Sequence, residues 1–143
     1  LAMMVGYSSG VKALEGNGGN AGVSSAVQAV INFYGPVDLT ADEAKRAGAV
    51  IDFMGGRKYD EAEAQYREAS PITHLTKDDP PAQLIYGMSM DDADIHSPRF
   101  GKALKEKMDA LGIRCDVYVG GEVPGGGSRI STIDFVKQAF GMK

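Results

Sequence analysis

The sequence has no tryptophan, one cysteine (Cys115) and two histidines, His74 and His96. A single cysteine excludes an internal disulfide framework and a cysteine-rich zinc site. Two imidazoles are the whole supply for any chemistry that needs one. There is no excess of positive charge: 15 Lys and Arg stand against 19 Asp and Glu, a net charge of -4. That balance argues against nucleic acid or an anionic membrane as the main partner, because both reward a basic face. No run approaches eighteen apolar residues, so no membrane-spanning helix is expected. The opening Leu1 to Val5 (LAMMV) has neither the basic lead nor the small-residue cleavage site of a secretory signal. The chain is expected to be cut from a longer one at this point.

What is present suits one compact domain: 143 residues, 43% of them hydrophobic. Glycine, at 19 residues, is nearly twice its usual share of about 7% and gathers in loops. Strand-like and helix-like segments alternate. Val27 to Tyr34 (VQAVINFY), Gln83 to Tyr86 (QLIY) and Arg114 to Val119 (RCDVYV) read as buried strands, each β-branched or aromatic and bounded by turn residues. Ser97 and Pro98 open a helix whose Phe100, Leu104, Met108 and Leu111 form one apolar stripe that Gly112 ends. A closing helix from about Ser131 to Phe140 is expected to bury Ile133, Val136 and Phe140. Thr40 and Glu43 suggest a capping box opening a helix to about Phe53. A second, highly charged helix is expected up to about Ala69, lying on the surface. Connections of this length between strands imply a parallel sheet, so the fold class is α/β with a small helical insertion at about 40–69 of the kind that serves as a cap.

Three segments invite a chemical reading. Gly6-Tyr7-Ser8-Ser9-Gly10 fits G-x-S-x-G, but a nucleophile elbow needs a helix directly after the serine. Val11 to Glu15 gives barely one turn before the run Gly16 to Asn20, so a plain Ser/Gly loop is the preferred reading of Ser8. Gly121 to Ser128 has the glycine spacing of a phosphate loop but places Gly127 where the lysine belongs. A flexible strand-to-helix loop is preferred there. Asp91-Asp92-Ala93-Asp94-Ile95-His96 follows the QLIY strand. It lacks the glycine and distal glutamate of a calcium loop. Carboxylates at the carboxyl end of a parallel strand are nonetheless where α/β folds place their chemistry, which makes this loop the leading functional candidate.

Taken together, VSSAVQAVINFYGPVDLT, ASPITHLTKDDPPAQLIYG, the helix from Phe100 with Gly112-Ile113, and VYVGGEVPGGG resemble the C-terminal half of the α/β-hydrolase fold, in the acetyl-esterase and lipase-like BD-FAE branch. The resemblance implies a partial α/β-hydrolase fold and a serine carboxylic-ester hydrolase needing no cofactor and no metal, with a small-molecule ester as substrate. It makes Asp92 the catalytic acid, with Asp91 next, by matching Asp92 to His96 with D-x-x-V-P. The family's histidine position falls on Pro124, and its nucleophile would lie upstream of Leu1, LAMMV being the helix that continues from the elbow. A serine is a weak nucleophile until an imidazole takes its proton, and proline supplies none. His96 is expected to serve the loop or helix start, and His74 to be a hydrogen-bonded structural residue. The chain alone is therefore expected to be inactive, and to oligomerise or aggregate for want of neighbouring strands. The alternative is a non-catalytic relative that uses the same cleft for binding.

Overall fold

The computed structural model describes residues 1–20, 22–87 and 94–142. Its elements run α1 (Ala2–Tyr7), β1 (Val30–Phe33), α2 (Asp42–Lys45), α3 (Gly48–Phe53), α4 (Tyr59–Glu68), α5 (Pro71–His74), β2 (Ala82–Tyr86), α6 (Pro98–Ala110), β3 (Cys115–Val119) and α7 (Thr132–Ala139). The three strands form one sheet in the order β1-β2-β3, parallel throughout. Val30 pairs with Ala82, and Ala82 with Cys115.

β1 is shorter than its apolar run suggests. Its ladder begins where the Val30 N–H meets the Pro81 carbonyl. Pro80 and Pro81 have no N–H to offer the residues before it. It ends at Tyr34, whose φ of 58° turns the chain out of the strand. It is also not buried on both faces, since it lies at a sheet edge with Phe33 60% exposed.

α6 follows the sequence expectation closely. The Ser97 hydroxyl accepts from the Arg99 N–H, and Pro98 takes the first helical position. Phe100, Leu104 and Met108 are buried against β2 and β3. At its end the Ile113 N–H reaches the Met108 carbonyl and the Gly112 N–H reaches that of Asp109, with Gly112 at φ 74°. These paired bonds satisfy carbonyls the helix would leave open. α6 approaches closely because Gly101 faces the Tyr86 ring: a Cβ there would stand 2.5 Å from Tyr86 Cε2. α1 uses the same device, Gly6 facing Val30.

Two helical expectations are corrected. The run from 40 to 53 is two helices, with Ala41 and Ala47 as their N-caps. The Thr40 N–H and hydroxyl both go to Asp38 Oδ1, at 2.9 and 2.6 Å, which leaves no capping box. Buried Ala44 and Val50 are six residues apart. One straight helix would set them about 120° apart around its axis, and the break places each on its own short helix. In α7 the buried residue is Phe135, while Ile133 and Phe140 are 69% and 54% exposed. Thr132 turns in to bond Gln83 Oε1 at 2.7 Å, and Arg114 covers the Phe135 ring. The charged helix α4 lies at the surface as expected, anchored by buried Ala62 and Tyr66. The Tyr66 hydroxyl donates to the Arg57 carbonyl.

Candidate active site

In parallel sheets, reactive groups gather in the crevice at the carboxyl ends of the strands. β1 and β2 are locked together there by two tyrosines. The Tyr34 N–H bonds the Ile85 carbonyl, which holds its ring across Gly87; a Cβ on Gly87 would meet the Tyr34 hydroxyl at 2.9 Å. Tyr86, fully buried, donates its hydroxyl to the Gly35 carbonyl at 3.1 Å. Burial pushes the Tyr86 phenol well above its ordinary pKa, with the Cys115 sulfur adding to the effect, so this group is a fixed donor. β3 joins the rim through Gly120, whose N–H bonds the Tyr86 carbonyl. Positive φ at Gly120 and Gly121 then folds the chain back, with Val119 and Glu122 exchanging hydrogen bonds. None of this tyrosine lock was read from the sequence, although the aromatic-glycine pairs Tyr34-Gly35 and Tyr86-Gly87 mark its place.

Asp91 and Asp92, the candidate acids, lie outside the described residues. Beyond them, Asp94 accepts the His96 N–H and lies 3.5 Å from His96 Nδ1. His96 is half exposed in the turn that precedes α6. His74 ends α5 with its Nε2 2.6 Å from the Glu68 carbonyl, a structural bond. Ser8 caps the C-terminus of α1, its N–H on the Met4 carbonyl. A helix precedes it and irregular chain follows, so the strand-turn-helix context of an elbow is absent. Pro124 is exposed in the loop after β3. In the same loop, Gly125, Gly126 and Gly127 all have positive φ, and α7 starts only at Thr132, so no helix N-terminus stands behind a phosphate. Among the described residues, no three His, Cys, Asp or Glu side chains converge as a metal would require.

Against known proteins, one family model, BD-FAE, matches residues 1–108. The chain belongs to the BD-FAE family. The matched stretch ends inside α6, so β3 and the Pro124 loop lie beyond it. Among solved structures, the chain is similar to a bifunctional GH43-CE of Bacteroides eggerthii, at 28% identity and TM-score 0.73 over 96% of this chain and 21% of that one. It is also similar to a truncated form of a carbohydrate esterase from gut microbiota, at 24% identity and TM-score 0.69 over 96% of this chain and 55% of that one. An acetyl ester-xyloside bifunctional hydrolase from Caldicellulosiruptor lactoaceticus aligns at 15% identity and TM-score 0.63, over 97% and 48%. The chain thus spans between a fifth and just over half of these proteins' lengths. No curated protein sequence matches it. The BD-FAE chain is a partial α/β-hydrolase fold: three parallel strands, the helices between them, and a helical insertion between β1 and β2.

Proposed function

We propose that this BD-FAE chain is the acid-bearing, C-terminal part of a serine carboxylic-ester hydrolase domain, lipase-like in architecture, with the helices between β1 and β2 as its cap. The observation that carries the reading is the BD-FAE match over residues 1–108, which includes the candidate acid loop. In this reading Asp92 orients an imidazole, the imidazole takes the proton of a serine outside these residues, and the serine attacks an ester carbonyl to form an acyl-enzyme that water hydrolyses. No cofactor enters. The esterase names among the structural relatives support an ester borne on a carbohydrate as substrate. Pro124 at the family's histidine position favours a second reading, a relative that has lost turnover and keeps the cleft for binding.

A chimera separates the two. Residues 1–143 replace the corresponding part of the gut-microbiota carbohydrate esterase, and hydrolysis of a short-chain chromogenic ester is followed. The first reading expects turnover with Pro124 in place, the imidazole coming from His96 or from outside these residues, and a loss of about 10⁴ in kcat when Asp92→Asn is added. A folded chimera with no turnover while Pro124 is in place would overturn it and leave the binding relative. The 143-residue chain alone is expected to show no turnover, with or without Ser8→Ala.

A further inference from the structure

Between α1 and β1 the chain runs through Gly16-Asn17-Gly18-Gly19-Asn20. This loop leads into β1 from its amino end, whereas the crevice described above lies at the carboxyl ends of the strands. Its base is closed by Glu15, whose carboxylate accepts the Gly10 N–H at 3.2 Å and the Ser25 hydroxyl at 2.6 Å. Inside that closure Asn17 and Gly18 are exposed and belong to no helix or strand. Neither the Asn17 side chain nor the Gly18 N–H has a hydrogen-bond partner among the described residues. A Cβ on Gly18 would meet nothing within 4 Å, and Gly16 and Gly19 stand at φ 65° and 82°.

An asparagine carboxamide carbon can be attacked by the main-chain nitrogen of the next residue, because the bond between them closes a five-membered ring. Regular structure prevents the attack by holding that nitrogen in a hydrogen bond and fixing the backbone. A side chain on the next residue hinders it by narrowing the backbone conformations within reach, and glycine has no such side chain. The sequence has three asparagines, and only Asn17 precedes a glycine. Asn20 precedes Ala21, and its carbonyl accepts the Val23 N–H in a turn. Asn32 is buried in β1. Sequence and surroundings thus single out the same residue.

We propose that Asn17 is a site of spontaneous modification, losing its amide through a succinimide formed with Gly18 and becoming aspartate or isoaspartate. The Gly18 nitrogen gives its proton to base and bonds to Asn17 Cγ, and Nδ2 leaves as ammonia. Water, the only co-reactant, then opens the ring. Attack at Cγ gives aspartate. Attack at the main-chain carbonyl carbon gives isoaspartate, whose backbone runs through the former side chain and is longer by one carbon. Either product adds a negative charge to a chain whose net charge is already -4, in the concavity that Asn17 shares with Glu15. Both reacting groups belong to adjacent residues of the loop, so the reaction does not depend on the ester-hydrolase reading.

The test incubates the 143-residue chain, and in parallel the chimera described above, at neutral and at mildly alkaline pH. Peptide mapping with fragmentation places any change of carboxamide to carboxylate on one residue, and methylation by an isoaspartate-specific methyltransferase reports the rearranged product. Asn17 is expected to convert in both proteins and faster at the higher pH, while Asn20 and Asn32 stay asparagine. Gly18→Ala is expected to slow conversion about tenfold. Asn17→Gln is expected to abolish the methylation and leave the circular dichroism unchanged. The proposal is overturned if Asn17 persists, if Asn20 or Asn32 converts as fast, or if Gly18→Ala or the change of pH leaves the rate as it was. Conversion in the 143-residue chain with protection in the chimera would also overturn it, since the loop would then be covered in the longer chain.

Discussion

Gly101→Ala tests whether the contact between α6 and Tyr86 sets the position of the helix over the sheet. The new Cβ would stand 2.5 Å from Tyr86 Cε2, 3.3 Å from Tyr86 Cδ2 and 3.2 Å from Val117 Cγ1. The ring has little room to yield, because Tyr86 is fully buried and its hydroxyl is tied to the Gly35 carbonyl. Overpacking of this kind costs about 1–3 kcal/mol, while alanine regains about 1 kcal/mol over glycine within a helix. The expected net loss is up to about 2 kcal/mol, read as a lower urea midpoint at unchanged slope. In a Tyr86→Leu background the clashing ring atoms are gone, and the same substitution should stabilise by about 1 kcal/mol. The double-mutant cycle should therefore show a coupling of about 1–3 kcal/mol. A Gly101→Ala midpoint at or above that of the parent would refute the reasoning, since α6 would then not be held at glycine distance.

In α7, Phe135→Ala should cost about 3–5 kcal/mol and Ile133→Ser should stay within about 0.5 kcal/mol; equal effects in urea melts would contradict the observed burial. Burial, with nearby Asp109 and Asp116 adding to it and Lys105 opposing, pushes the Cys115 thiol up to about 12 from an ordinary 9.0. Its contribution is thus full below pH 9 and is lost as pH rises toward 12, because the unfolded thiol ionises first. Urea midpoints between pH 8 and 10.5 should fall more steeply for the parent than for Cys115→Ala, and parallel curves would rule this out. Glu15 accepts from the Ser25 hydroxyl and the Gly10 N–H, which holds its carboxyl below the usual 4.5. This tie is present above pH 4.5 and is lost as pH falls through the lowered value, so the Gly10 amide shift should titrate with a midpoint below 4.5; a midpoint at or above it would deny the bond.

Local chemistry was enough to place much of this fold. Ser97, Pro98, the stripe from Phe100 to Met108 and Gly112 specify α6 from within their own segment, and the structure repeats them with its caps in place. The runs around Leu84 and Val117 could be read as strands because their alternation and flanking turn residues lie in the same few positions. Parallel pairing then followed from connections too long for hairpins. The YGP and DPP segments were enough to carry the family resemblance, which the match over residues 1–108 bears out.

What only the tertiary structure decided were matters of partnership. β1 starts at Val30 rather than Val27 because its neighbour begins with two prolines, a fact of another segment. Ile133, Val136 and Phe140 look like a core stripe in isolation. The Thr132–Gln83 bond and the Arg114 cover over Phe135 go with the other side of α7. Ala44 and Val50 are buried from two separate short helices rather than from one. The Tyr34–Gly87 and Tyr86–Gly35 locks join residues about fifty positions apart. A sequence specifies what each segment prefers; which face is buried, and which hydrogen-bonding groups are left over, depends on what folds against it.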